Sequence, residues 1–477
     1  MKRLPLYLAL SMALAGCTLG PDYERPALDL PNSYPVANAG EAAPTIPATW
    51  WTLFDDPTLI RLVEQGLAQN TDMKVAIARI EEAEAVMREA RATFFPLIEG
   101  NASASRGRGR ATAATGVATG TTVVRNDFQL TATTSFEVDF WGRLRRAHES
   151  ARAQYLATQY GRDVVGLTLA SSIAQTYFAA RSLQTQTNVA AENLRVSEES
   201  LDIARKRAQA GLISDLDVNQ AESARAAAAA QLKEIQRQRD VTVHQLGQLS
   251  GALDLQLEPG DVRTLPLPPI PPAGLPSALL ERRPDVRQAE AQLAAANAEI
   301  GFARAAQFPT LSLTGSFGQQ SAELGNLFDA GGRIWSIGLG VVGPIFDAGR
   351  YAARTDQAIA RQRQAAASYE GAAEAAFREV ADGLSNVAWT ADTEQDLRAQ
   401  VDAARNSLRL ARLRYQSGYS SFLEVLDAQR TLNEAELALV RNREAYLSYT
   451  VDLMEALGGG WSDTEYPPTA KTEVNKD

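Results

Sequence analysis

Cys17 is the only cysteine among the 477 residues, and its sequence context predicts acylation of the thiol. A single cysteine cannot form a disulfide within the chain, and no histidine or second thiol lies near it for catalysis or metal binding. Two basic residues precede an apolar run at 4–15, which is shorter than the roughly 20 residues of a spanning helix and is typical of a signal peptide. Residues 14–17, LAGC, resemble the bacterial lipobox. We therefore expect residues 1–16 to be removed and Cys17 to carry a covalent lipid.

Glu424 and Asp427 are acidic residues whose spacing would let both carboxylates act on the same ion. Asp427 lies three positions after Glu424 and four positions after Leu423, which places all three on one face of a helix. On the residues alone, the two carboxylates are a helix cap and part of a solvated face. If several copies set this face around a channel, the carboxylates would form rings that attract cations and repel anions.

Other apparent motifs do not predict a catalytic, cofactor-binding or metal-binding site. Residues 338–343, GLGVVG, match the dinucleotide pattern GxGxxG, but they lie in an alternating strand pattern and meet a proline instead of a helix. His148 and His244 are isolated, and HExxH, GxSxG and Walker patterns are absent from the sequence. The net charge of −10 gives no basic field for nucleic acid, and we interpret RGRGR at 106–110 as an exposed loop. We expect no enzyme activity and no nucleic-acid partner.

Two segments repeat along the chain and divide it into similar halves. Residues 204–218, ARKRAQAGLISDLDV, align with residues 411–425, ARLRYQSGYSSFLEV, with Gly211 and Gly418 in register. A Pro-rich stretch between the halves suits an extended linker, because proline fixes φ and lacks an N–H donor. The predicted organisation is a signal peptide (1–16), a lipid-anchored extended segment (17–58), a first repeat (59–258), a linker (259–275), a second repeat (276–460) and a tail (461–477).

Each half contains one predicted β-hairpin, at about 97–140 and 309–346. Apolar and polar residues alternate over 128–140 and 310–317, which is the pattern of a strand with one wet face. Tilted transmembrane strands need roughly 9–11 residues, and these strands are long enough. Four strands cannot close a barrel, so several copies must share one. Two copies would give eight strands and three would give twelve.

Between the hairpins the sequence predicts long helices, because no proline interrupts 97–258 or 345–466. Residues 143–210 as one helix would extend about 100 Å, with heptad-like apolar positions that suit coiled-coil packing. The helices are expected to reverse at Gly211 and Gly418, since glycine readily adopts the left-handed conformation that ends a helix. Capping boxes are then predicted at the start of the next helices, Ser214 with Asp217 and Ser421 with Glu424.

Several motifs together resemble the outer membrane factor family, in its lipoprotein branch that serves multidrug efflux. They are GPDYERP (20–26), WWTLFDDPTLIRLV (50–63), LDAQRTLNEAE (426–436) and ALGGGW (456–461). The resemblance implies an α+β membrane protein, a homotrimer that shares one 12-stranded outer-membrane β-barrel with four strands per chain. A 12-helix periplasmic α-barrel of long, coiled-coil-like helices would continue it. It also implies a passive exit duct for drug-like or other small solutes, fed by an inner-membrane transporter of the resistance-nodulation-division (RND) type through a periplasmic adaptor (membrane fusion) protein.

The resemblance also implies roles for residues at the helix reversals. It places the periplasmic gate at Leu423, Glu424 and Asp427. Asp217 and Tyr415 align with positions that hold neighbouring hairpins together at the closed tip, although Ser420 stands where some relatives have an arginine. Gly211 and Gly418 mark the exposed tips at which adaptor hairpins would dock.

Two other functions share part of this pattern. The exit duct of a type I protein secretion system has the same architecture, and the lipobox favours efflux over it. A lipid-anchored periplasmic coiled-coil structural protein would use the long helices but not the four alternating strands. Thr18 stands where an aspartate would signal inner-membrane retention, so we expect the outer membrane, with helices extending into the periplasm. Outer-membrane lipid is then a partner, and no cofactor is expected besides the covalent lipid on Cys17.

Overall fold

The computed structural model describes residues 18–31, 34, 46–110, 122–269 and 282–461. The signal peptide and the predicted lipidation residue Cys17 lie outside the described residues. The second part of the Pro-rich linker and the tail after Trp461 also lie outside them.

Seven α-helices and four strands make up most of the described chain. The helices are α1 (Pro57–Gln69), α2 (Thr71–Ala92), α3 (Arg143–Gln209), α4 (Asp215–Ser250), α5 (Pro284–Ala305), α6 (Arg350–Gln416) and α7 (Phe422–Ala456). The strands are β1 (Leu97–Arg110), β2 (Thr122–Val138), β3 (Thr310–Ser321) and β4 (Arg333–Val342). A short 3₁₀ turn, Trp50–Phe54, precedes α1. Within the described ranges, no helix combines the length and the apolar character needed to cross a bilayer.

Several strand boundaries differ from the prediction, since β2 already begins at Thr122 and β3 continues to Ser321. The interpretation of 106–110 as a loop was wrong, because these residues continue β1. Gly107 and Gly109 have no side chains, so they hide the alternation of the strand. β2 ends at Val138 and not at residue 140. The next residue, Asp139, caps α3, because its carboxylate accepts hydrogen bonds from two backbone N–H groups in the first turn of that helix, at 3.0 and 2.9 Å.

The four strands form one antiparallel sheet in the order β1-β2-β3-β4. Their register aligns apolar residues with apolar residues and polar residues with polar ones. One face carries Phe136, Leu313 and Leu339 in a row across β2, β3 and β4, and the other carries Thr133, Ser316 and Ser336. Because side chains alternate between the faces, the sheet has one apolar and one polar face. β1 and β4 are its two ends, and each pairs on one side only within the described chain.

The chain divides into two compact units, and the first contains the sheet. Its described residues fall within the ranges Met1–Ala27, Ile80–Thr158 and Ala289–Tyr369. Its N-terminal segment is fixed at both ends. The backbone N–H of Leu19 donates to the carbonyl of Trp141 at 3.1 Å. Further along, Arg25 Nε donates to the Glu290 carboxylate at 2.6 Å.

The second unit is helical and has a large apolar core. Its described residues fall within the ranges Leu28–Arg79, Gln159–Gln288 and Glu370–Asp477. Fully buried core side chains include Trp50, Phe54, Ile173, Leu246 and Leu447. Asp56 caps α1 by accepting the N–H of Thr58 at 2.8 Å, and its second oxygen accepts the Tyr177 hydroxyl at 2.6 Å. These bonds satisfy polar groups that would be costly to bury unpaired.

Candidate functional site

Two helix reversals lie in the second unit, one between α3 and α4 and the other between α6 and α7. Gly211 and Gly418 have φ values of 71° and 77°. This left-handed conformation costs a residue with a side chain roughly 1–2 kcal/mol, which explains glycine at both positions. A Cβ atom at either glycine would meet no atom within 4 Å, so the requirement comes from the backbone alone.

A buried apolar cluster joins the two reversals. Its members come from all four helices, and we call them the tip cluster: Leu201, Ala204, Ala221, Leu408, Ala411, Phe422 and Val425. Removing apolar surface from water contributes about 25 cal/mol for each Å². Separating the two hairpins would expose this surface, so the cluster holds the reversals of one chain together.

The two predicted capping boxes have different outcomes. At the first reversal, the Asp217 carboxylate accepts the backbone N–H of Ser214 at 3.2 Å and its hydroxyl at 3.0 Å. At the second reversal, no hydrogen bond joins Ser421 to Glu424 among the described residues, so that box was predicted wrongly. The Glu424 carboxylate instead lies 3.7 Å from Arg414 Nε, a guanidinium at the end of α6.

Tyr415 packs inside the tip without using its hydroxyl. Its ring lies 4.7 Å from the guanidinium carbon of Arg207 and 5.3 Å from the ring of Phe422. These contacts tie α6 to α3 and α7. The hydroxyl is buried and has no hydrogen-bond partner among the described residues, and Asp217 bonds to Ser214 instead. Within one chain the structure therefore does not join Tyr415 to Asp217, and their bond between neighbouring copies stays a prediction.

The three predicted gate residues share one exposed face of α7. Leu423 is 58% exposed, and the Glu424 and Asp427 side chains are also exposed. Asp427 Oδ1 accepts a hydrogen bond from Arg430 at 2.9 Å. Each carboxylate thus faces a guanidinium of the same chain, so this face is not simply acidic. Neither arginine was predicted from the sequence to lie beside the gate residues.

Two buried amides fix the orientation of α7. Gln429 Nε2 donates to Asn193 Oδ1 at 3.1 Å and to Ser197 Oγ at 3.0 Å, which joins α7 to α3. Asn433 Nδ2 donates to Gln231 Oε1 on α4 at 3.2 Å. Residues 427 and 429 differ by about 200° around a helix, so burying Gln429 turns Asp427 outward.

Further along α7, burial raises the pKa of three carboxylates, those of Glu444, Asp452 and Glu455. Burial raises the pKa of Glu444, whose carboxylate accepts the hydroxyl of Ser448 at 3.0 Å. Burial also raises the pKa of Glu455, and the nearby charge of Asp452 adds to the shift. Hydrogen bonds such as the one from Thr168, at 3.1 Å, oppose it only in part.

The sequence profile of the outer membrane efflux protein family matches residues 62–252 and 275–459. The chain belongs to this family. The match covers both repeats and includes the helix reversals described above. The predicted family is therefore confirmed.

Relatives match this family member over nearly its whole length. The chain is 37% identical to the solvent efflux pump outer membrane protein SrpC of Pseudomonas putida, over 97% of this chain and 98% of that protein. It is 35% identical to the cation efflux system protein CusC of Escherichia coli, over 96% and 99%. The crystal structure of the CmeC outer membrane channel of Campylobacter jejuni superposes with a TM-score of 0.86, at 26% identity, over 94% of this chain and 96% of that one.

These comparisons confirm part of the prediction. They support the mostly helical fold with a four-stranded sheet in each chain, the outer-membrane location and a role in efflux. Acylation of Cys17, the gate at Leu423, Glu424 and Asp427, and adaptor docking near Gly211 and Gly418 stay predictions.

Proposed function

We propose that three copies of this chain form a passive exit duct in the outer membrane. The duct receives drug-like or other small solutes from an inner-membrane RND-type transporter through a periplasmic adaptor. The observation that carries the proposal is a four-stranded sheet with one apolar face, one polar face and two edges that have no partner strand among the described residues.

Lipid makes such a sheet dependent on other copies. An open edge leaves backbone N–H and C=O groups without partners, and in hydrocarbon each costs several kcal/mol. Pairing β4 of one copy with β1 of the next satisfies these groups and turns all apolar faces outward. Three copies supply twelve strands, and the polar faces then line a water-filled passage.

The helix reversals supply the features of a gate and a docking surface. Leu423, Glu424 and Asp427 of three copies form rings, with Arg414 and Arg430 beside the carboxylates. Three exposed side chains with large apolar surfaces lie close in sequence to Gly211 and Gly418: Leu212, Leu216 and Tyr419. Such side chains suit contact with the helical hairpins of an adaptor.

Trimer formation and conduction test the proposed duct together. Native mass measurement in detergent should give three copies, and the same preparation should conduct in planar bilayers. A matched test replaces Leu339, on the apolar face, or Ser336, on the polar face, with lysine. A lysine in lipid costs about 2–4 kcal/mol, so Leu339→Lys should impair insertion while Ser336→Lys inserts normally. A conducting monomer, or equal insertion of both variants, contradicts the proposal.

The lipid on Cys17 is tested separately. Mass spectrometry of the mature N-terminus should find cleavage before Cys17 and acyl chains on it. Cys17→Ser should block this processing, while Thr18→Ser should leave it unchanged. An unmodified Cys17, or cleavage at another position, removes the anchor from the proposal and leaves the duct unaffected.

A further inference from the structure

The apolar stripe of β4 leads to two exposed residues beyond the strand. The outward residues of the strand are 67–77% exposed, and they are Trp335, Ile337, Leu339 and Val341. After the strand ends, Ile345 is fully exposed and Phe346 is 88% exposed. A contiguous apolar surface of this kind marks contact with a partner or with lipid.

Two guanidinium groups follow this stripe in the first turns of α6. Arg350 and Arg354 both lie near the ring of Tyr351, at 4.8 and 5.5 Å from its centroid. In the part of the chain that the structure describes, neither arginine has an ion-pair partner. The Asp347 carboxylate accepts the backbone N–H groups of Gly349 and Tyr351, at 3.1 and 2.8 Å. Arg350 is also attracted by the charge of Asp347, but the carboxylate makes its hydrogen bonds to these backbone groups, so both guanidinium groups keep N–H donors for an external anion.

We call the segment between β4 and α6 the second junction and the segment between β2 and α3 the first junction. At the first junction the arginines do have ion-pair partners. Arg143, which aligns with Arg350, forms an ion pair with Glu137. Arg145 lies 3.2 Å from Asp139, and its neighbour Arg146 pairs with two further carboxylates. The unpaired guanidinium groups are thus a property of the second junction, not of the repeat.

Both junctions lie at the same end of the sheet, because β2 and β4 run in the same direction. The chain begins its described course at this end, where the N–H of Leu19 bonds to the carbonyl of Trp141. Thr18 packs against Gly142 there. The residue that follows the proposed lipid anchor therefore lies at the level of the junctions.

We infer that Ile345, Phe346, Arg350 and Arg354 form a binding surface for phospholipid headgroups. Ile345 and Phe346 enter the acyl boundary, and the two guanidinium groups bind lipid phosphates. Arg350 and Arg354 are one helical turn, about 6 Å, apart, which matches the thickness of one headgroup layer. The surface prefers anionic lipids, since each arginine near a charged bilayer contributes about a five-fold gain in binding. This inference rests on the proposed function, which places the sheet in the membrane.

Lipid titration of the purified trimer tests the inference. Native mass spectrometry would measure binding of phosphatidylglycerol and of zwitterionic phosphatidylcholine. The variant Arg350→Gln/Arg354→Gln should bind phosphatidylglycerol about 25-fold more weakly. It should lose less affinity for phosphatidylcholine, because choline neutralises the phosphate charge that the arginines attract. The control Arg361→Gln/Arg363→Gln removes two exposed arginines of the same helix, beginning about 16 Å beyond Arg350 and outside the headgroup layer, and should bind both lipids like wild type.

A second variant separates the apolar contact from the charge. Ile345→Ser/Phe346→Ser should weaken binding of both lipids equally. Inorganic phosphate in excess should not displace phosphatidylglycerol, and displacement would show a free-phosphate site and overturn the lipid surface. Equal phosphatidylglycerol binding in the two arginine variants would also overturn it. Planar-bilayer conductance of the same trimers distinguishes the failures, because conducting trimers without lipid preference disprove only this inference.

Discussion

Neutralising Arg430 should make the channel more selective for cations. Each chain contributes Glu424 and Asp427 to the proposed gate, together with Arg414 and Arg430, so the four charges cancel. Arg430→Gln leaves one negative charge per chain and three in the trimer. Asp427→Asn, a nearly isosteric substitution, has the opposite effect and leaves three positive charges in the trimer.

The expected size follows from screened Coulomb energies. A unit charge at one Debye length, roughly 8 Å at 0.15 M salt, contributes about 0.2 kcal/mol in water, and three contribute about 0.6 kcal/mol. A cation gains what an anion loses, so the cation-to-anion ratio changes by about 1.2 kcal/mol, or about seven-fold. Arg430→Gln should shift the ratio toward cations by this factor, and Asp427→Asn toward anions.

Reversal potentials across planar bilayers with a salt gradient measure this ratio. The double variant Asp427→Asn/Arg430→Gln restores a net charge of zero and should return to wild-type selectivity. Arg237→Gln is a matched control, because Arg237 pairs with Glu234 at the same helical spacing on α4. Wild-type selectivity in both single variants, on trimers of confirmed mass, would place the constriction elsewhere. An equal shift in Arg237→Gln would show that the selectivity comes from charge spread along the duct.

The remaining predictions concern the tip and the buried acids. Tyr415→Ala should lower stability by about 2–3 kcal/mol in thermal unfolding, because a ring is lost from beside the tip cluster. Tyr415→Phe should leave stability unchanged, and increased leakage in that variant alone would show that the hydroxyl bonds to a neighbouring copy. Gly211→Ala and Gly418→Ala should each cost about 1–2 kcal/mol, whereas Gly371→Ala, inside α6, should gain about 0.5–1 kcal/mol. Because the folded-state pKa of Glu455 is raised, ionisation destabilises the fold; Glu455→Gln should therefore be more stable than wild type at neutral pH. In a pH series of thermal midpoints this advantage should disappear as the pH falls toward the unshifted value of 4.5.

The sequence predicts those features that depend on neighbours along the chain. Alternation over 310–317 located β3, and the absence of proline predicted α3 almost to the residue. The ion pair of Asp427 and Arg430 has helical spacing and was within reach of the same reasoning. Contacts that cross a helix reversal cannot be predicted from such spacing. Arg414 approaches Glu424, and Arg207 approaches Tyr415, only after two helices have packed against each other.

The capping box at Ser421 shows the limit of motif reasoning. Its residue types match those at Ser214, yet only Ser214 bonds to its acidic partner. At the second reversal the acidic residue is instead drawn toward Arg414. A local motif therefore competes with every charged group that folding brings near, and sequence spacing alone does not report that competition.

The two unpaired sheet edges have a genetic consequence. If the β-barrel closes only with three copies, a chain whose β4 edge cannot pair inactivates each trimer that it enters. Co-expressed in equal amounts with wild type, such a chain would leave only about one eighth of the trimers free of it. Inactivating substitutions on β1 or β4 should therefore behave as dominant alleles, whereas a chain truncated before β1 should be recessive. A cell carrying one damaged and one intact copy of this gene would export less than a cell carrying the intact copy alone.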